Sequence, residues 1–94
     1  MDLKEDTVIT LAPDHLSTTL DGDTYVLELS KGMYFELNDV AGRVWELLRE
    51  PTTIAEVSRR IAAEYDVEPD RCIDDVRAFG VTLADEGLIV TVSA

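Results

Sequence analysis

The feature that most constrains this chain is a change of hydrophobic period at Asn38. Before it, apolar residues come in short runs broken by turn residues. After it, they recur at three- and four-residue spacing. Alternation over a few residues builds strands and the longer period builds helices, so strands come first and helices follow. In the first part, Val8-Ile9-Thr10-Leu11 is a strand-like run closed by Ala12-Pro13-Asp14. His15 to Leu20 ends at the turn signal Asp21-Gly22-Asp23. Thr24 to Leu29 is the clearest strand and places Tyr25, Leu27 and Leu29 on one face, with Tyr25 in phase with the core. Ser30-Lys31-Gly32 turns the chain into Met33-Tyr34-Phe35-Glu36-Leu37. Short turns between short strands predict an antiparallel meander.

In the second part, Asn38 and Asp39 cap a helix whose apolar stripe is Val40, Val44, Trp45, Leu47 and Leu48, stopped by Pro51. Thr53-Ile54-Ala55-Glu56 has the spacing of a capping box, opening a helix with Ile54, Val57, Ile61 and Tyr65 on one face. Pro69 suits a first helical position. A third helix then runs from about Asp70 to Glu86 with Cys72, Val76, Phe79 and Leu83 as its stripe, ending at Gly87. Leu88 to Val92 is a β-like closing segment. The fold class is therefore α+β and winged-helix-like: a three-stranded antiparallel N-terminal sheet, three helices and a short C-terminal strand. With 94 residues it is a single domain spanning 1–94, with residues 1–7 expected as a flexible tail.

Charge narrows the function. Eight Lys and Arg against 20 Asp and Glu give −12, with the acids spread along the chain rather than gathered in a tail. Such a surface repels phosphate backbones and steers basic or polar partners towards it. A winged-helix transcription regulator needs a basic recognition helix, yet the third helix offers Arg71 and Arg77 against Asp70, Asp74, Asp75, Asp85 and Glu86. No signal peptide or membrane-length apolar run is present, so a cytoplasmic protein is expected.

No catalytic constellation assembles on paper. The five glycines are scattered, so there is no phosphate loop, and one Cys with one His gives no metal spacing. Cys72 falls on an apolar stripe, where a thiol is inert, and His15 reads as a surface residue. The pairs Asp74-Asp75 and Asp85-Glu86 are adjacent and so diverge around a helix. The expectation is a protein without enzyme activity and without cofactor or metal.

What remains is a binding surface. Met33–Leu37 is an apolar-rich strand with one charge, Glu36, and stands at a sheet edge unless Leu88–Val92 or the N-terminal strand covers it. An open edge would accept an extended peptide as an added strand. Tyr34 is out of phase with Met33 and Phe35, so one of the two sets points away from the core. The third helix, with Asp75, Val76, Phe79 and Leu83, would form the other wall of a groove.

The run Leu27-Glu28-Leu29-Ser30-Lys31-Gly32-Met33-Tyr34-Phe35-Glu36-Leu37-Asn38, followed by Gly42-Arg43-Val44-Trp45-Glu46-Leu47-Leu48, resembles the PqqD-like proteins. The later Thr53-Ile54-Ala55-Glu56-Val57, Tyr65-Asp66-Val67, Asp75-Val76 and Gly87-Leu88-Ile89 match in order, so the resemblance covers about residues 13–92. It implies a recognition element for ribosomally made, modified peptides. In such a protein the precursor's leader adds antiparallel to Met33, Tyr34, Phe35, Glu36 and Leu37 and packs on the third helix. There Asp75 would meet a basic group or a backbone N–H, and Val76, Phe79 and Leu83 would line a pocket. A stand-alone acidic chain of this length is similar to the lasso-peptide members, which bind Tyr-x-x-Pro leaders and present them to a separate leader peptidase. Other members serve other modified peptides or pyrroloquinoline quinone formation.

Overall fold

The computed structural model describes residues 3–92. Among these residues the order is β1 (Val8–Leu11), β2 (His15–Leu20), β3 (Asp23–Glu28), β4 (Met33–Leu37), α1 (Asp39–Leu47), β5 (Thr52–Thr53), α2 (Ile54–Tyr65), α3 (Pro69–Asp85) and β6 (Ile89–Thr91). The caps are those the sequence advertises. Asn38 Oδ1 accepts from the Ala41 N–H at 2.9 Å, and Thr53 Oγ1 from the Glu56 N–H at 3.1 Å. Glu56 does not complete the capping box, because its carboxylate is taken by Arg59 one turn on. Pro69 opens α3, and Gly87, at φ +76°, leads the chain out of it.

The strands form two sheets, not one meander. β2-β3-β4 is the expected antiparallel sheet, hinged at a two-residue turn in which Asp21 and Gly22 both have positive φ. β1 stands apart. It lies between β5 and β6, pairing Ile9 with Thr52 on one side and with Thr91 on the other. The two sheets and three helices close over a core of Ile9, Val26, Trp45, Leu48, Ile54, Val57 and Leu88, each no more than 2% exposed.

Two expectations change here. The N-terminal segment is docked from Leu3 onwards. Leu3 is buried, the Glu5 carbonyl accepts from the Ala55 N–H at 3.0 Å, and the Glu5 carboxylate accepts from Arg77 at 3.0 Å. One apolar side chain, Leu3, sinks beside Gly80, where no Cβ opposes it, and holds residues that composition alone leaves loose. The face of β3 is also inverted. Thr24, Val26 and Glu28 are buried, while Tyr25 and Leu27 turn outward. Helix α1 lies directly on the Thr24 side: a Cβ on Gly42 would come within 2.6 Å of Thr24 Oγ1. Trp45 is fully buried, as its phase requires. It donates from Nε1 to Ser17 Oγ at 3.3 Å and meets the ring of a half-buried His15 edge-on at 4.9 Å.

Candidate functional site

The edge of β4 is open. The C-terminal strand and the N-terminal strand, the two candidates to cover it, pair with each other in the second sheet instead. The register shows which peptide groups it offers. A two-residue hairpin closes on a hydrogen-bonded pair, here Leu20 and Asp23, so Tyr25 and Leu27 also bond towards β2. Residues of a central strand alternate sides, so Thr24, Val26 and Glu28 bond towards β4, at Leu37, Phe35 and Met33. The backbone N–H and C=O groups of Tyr34 and Glu36 are left facing outward at the free edge. Along β4, Phe35 and Leu37 point inward, and Tyr34 and Glu36 lie on the outer face.

Where β4 ends, a cavity begins. About 300 Å³ in volume, it is bounded by Asn38, Val40, Ala41 and Val44 from the start of α1, by Ile61 and Val67 from α2 and the turn after it, and by Cys72, Asp75, Val76 and Phe79 from α3. The lining is apolar apart from Asn38 and Asp75. Asp75, with its side chain exposed, is within 3.9 Å of Arg71. Val76 is buried in the floor and Phe79 is half-buried. Leu83, expected beside them, is buried one turn further along in the core and does not line this cavity. Cys72 is likewise in the floor. Burial, then the charge of Asp75, pushes its thiol pKa up, and its sulfur donates to the Ser58 carbonyl at 3.5 Å.

The side of the cavity formed by α1 is the part that sequence reading missed. Val40 falls on the apolar stripe with Val44 and Trp45 and looks like core, yet it is 41% exposed, as is Val67 at 38%. Val40 sits one residue into the helix, and its exposure depends on what packs over that first turn, which the apolar stripe does not record. Two contacts hold α1 to α2. Arg43 donates to the two Glu64 carboxylate oxygens from Nε and Nη2, at 2.7 and 2.9 Å, and the Tyr65 hydroxyl donates to Asp39 at 3.3 Å. Hydrogen bonding to Arg43 lowers the Glu64 pKa, and burial together with the Asp39 charge raises that of Tyr65.

A second polar device sits at the other end of β4. Glu28 is 4% exposed, and its carboxylate accepts from the Ser30 N–H at 2.9 Å, the Ser30 hydroxyl at 2.5 Å and the Lys31 N–H at 2.9 Å. These bonds hold its pKa below the ordinary glutamate value, with the Ser30 hydroxyl the largest cause. They also tie down the turn from which β4 starts.

The cations of α3 are engaged within the protein: Arg77 with Glu5 at 3.0 Å and Asp74 at 3.8 Å, Arg71 with Asp75. Among the described residues no three His, Cys, Asp or Glu side chains converge as metal ligands, and no helix is long and apolar enough to cross a membrane.

No curated protein sequence matches this chain. The family model for coenzyme PQQ synthesis protein D (PqqD) matches residues 20–89. Among solved structures, TbiB1 in complex with the TbiA(beta) leader peptide is similar at 30% identity and TM-score 0.81, covering 90% of this chain and 99% of that one. Lasso peptide synthetase B1 complexed with the leader peptide is similar at 26% identity and TM-score 0.77, covering 87% and 96%. The PqqD truncation of Methylobacterium extorquens PqqCD, a stand-alone recognition element for modified peptides, shares the fold at 18% identity and TM-score 0.79, covering 95% of each chain.

Proposed function

The chain belongs to the PqqD family, and from that membership we propose that it captures the leader segment of a ribosomally made precursor peptide and presents it to a separate leader peptidase in lasso-peptide biosynthesis. The leader adds as an antiparallel strand to β4, along Met33–Leu37, and an apolar anchor enters the cavity beside Val76 and Phe79. Asp75 meets a leader Lys or Arg, or a backbone N–H, at the rim. The protein does no bond chemistry itself and takes no cofactor or nucleic acid.

The observation that carries this reading is the adjacency of an unpaired strand edge and an apolar cavity. Backbone pairing alone gives little sequence selectivity, and an apolar pocket alone gives no register. Together they bind one extended peptide in one frame. Two of the similar structures hold leader peptides, which supports the same class of ligand here. One of the two is a lasso peptide synthetase B1, at 26% identity against 18% for the PqqD truncation, which supports the lasso-type precursor over a pyrroloquinoline quinone one. The ion-paired state of Arg71 and Arg77 disfavours a nucleic-acid reading.

Fluorescence polarisation with a labelled Tyr-x-x-Pro leader tests the proposal, with a Tyr→Ala leader and a duplex DNA as controls. Tight binding lost in the Ala leader is expected, with no binding to DNA. Phe79→Ala should weaken the complex by about 1–3 kcal/mol while leaving the protein folded. Failure to bind any Tyr-x-x-Pro leader would remove the lasso assignment, and binding to DNA would overturn the reading as a whole.

A further inference from the structure

From the outer face of the sheet we infer a second layer of specificity, resting on the strand-addition reading above: the leader carries a basic residue followed two positions later by an aromatic or branched apolar residue, read by Glu36 and Tyr34. The inference follows from register. Tyr34 and Glu36 present their backbone groups to the free edge, so in an antiparallel addition each exchanges both hydrogen bonds with the peptide residue directly opposite. Side chains of directly opposed residues lie on the same face of a sheet, about 5 Å apart at Cβ. The two leader residues that oppose Glu36 and Tyr34 therefore project onto the outer face, away from the cavity that holds the anchor. Because the peptide runs against β4, the residue opposite Glu36 precedes the one opposite Tyr34.

The chemistry of these neighbours sets the preference at each position. Leu16, Leu27 and Tyr34 are in register across three strands and form one exposed apolar row ending at the free edge, with Leu16 at 61% and Tyr34 at 63% exposure. The Tyr25 ring stacks on that of Tyr34 at 6.0 Å between centroids, 25° from parallel, and stiffens the row. A fourth strand bearing an aromatic, Leu, Ile or Val side chain there continues it. Beside it, Glu36 accepts a bond from the Tyr25 hydroxyl at 3.4 Å and forms no ion pair among the described residues. A Lys or Arg opposite it completes a cross-strand pair. An acidic residue there is repelled by Glu36 and by a chain of charge −12.

The test is a positional scan of labelled Tyr-x-x-Pro leaders, each position replaced in turn by Lys, Glu and Phe, titrated against the wild type, Glu36→Lys, Tyr34→Ser and Glu36→Pro. The wild type is expected to prefer Lys over Glu at one position and Phe over Glu two residues further on, each by about twofold to fivefold. Glu36→Lys should reverse the first preference without moving the second, and Tyr34→Ser should flatten the second alone. Binding whose scan profile is unchanged in Glu36→Lys and Tyr34→Ser, yet weakened about tenfold in Glu36→Pro, would overturn the outer-face inference and leave strand addition standing. Equal binding to wild type and Glu36→Pro would overturn both.

Discussion

The two sheets of this protein are built on opposite plans. β2, β3 and β4 are consecutive in the chain, joined by short turns, and their register is set by local geometry: an Asp21-Gly22 turn at one end and a Glu28 carboxylate clasping Ser30 and Lys31 at the other. β1, β5 and β6 come from residues 8–11, 52–53 and 89–91, with the meander and the helices lying between them in the chain. The locally encoded sheet keeps a free edge and an exposed apolar row. The non-local sheet gathers β1, the segment between α1 and α2 and the segment after α3, and its Ile9 is among the most buried residues. The division teaches where binding can be placed. Both sheets have unpaired outer strands. However, β4 belongs to the sheet held together through its own turns and runs for five residues, whereas β5 and β6, brought together by the core, run for two and three and offer little edge to a peptide.

The largest effect should come from the non-local sheet. Ile9→Ala should cost about 2–4 kcal/mol in urea or thermal unfolding, the range for a large-to-small change at a fully buried site. Both sheets should melt in one transition. A first transition confined to β1, β5 and β6, with the meander still folded, would break the comparison by making the sheets independent.

Proline sharpens it on the other side. Glu36→Pro removes an N–H from the free edge and is expected to keep the fold while weakening leader binding about tenfold, since one backbone bond to the peptide is lost. Phe35→Pro removes an N–H engaged with Val26, so it should destabilise the protein itself. Equal stability of the two variants would show that the register assigned to β4 is wrong.

The smallest effect is a pH dependence. Glu28 has a lowered folded pKa, so its contribution is complete above the ordinary glutamate value and is lost as pH falls through the lower folded value. Glu28→Gln should flatten that acid limb of the stability curve and speed amide exchange at Ser30 and Lys31. An unchanged acid limb would mean the turn holds without the carboxylate.

Much of this was legible along the chain. The period change at Asn38, the caps at Asn38 and Thr53, Pro69 at the head of the third helix and Gly87 at its end are local signals, and each appears where residue chemistry puts it. So did Cys72, Val76 and Phe79 on one stripe of one helix. Other assignments failed for a shared reason. The outward turn of Tyr25, the burial of Leu3, the core position of Leu83 and the exposure of Val40 each depend on what a neighbouring element covers.

By itself, then, the sequence determined the number, kind and order of the meander strands and helices, because propensity, capping and turn chemistry act within a few residues. Only the tertiary structure decided which face of β3 is buried, that neither chain end covers β4 and that β1 leaves the meander for β5 and β6. The strand's own residues favour the face of Tyr25 and Leu27, yet the face of Thr24, Val26 and Glu28 is the one buried, so composition within the strand does not make the choice. The packing of α1 across Gly42 and Thr24 makes that choice, and with it sets which side chains lie on the outer face.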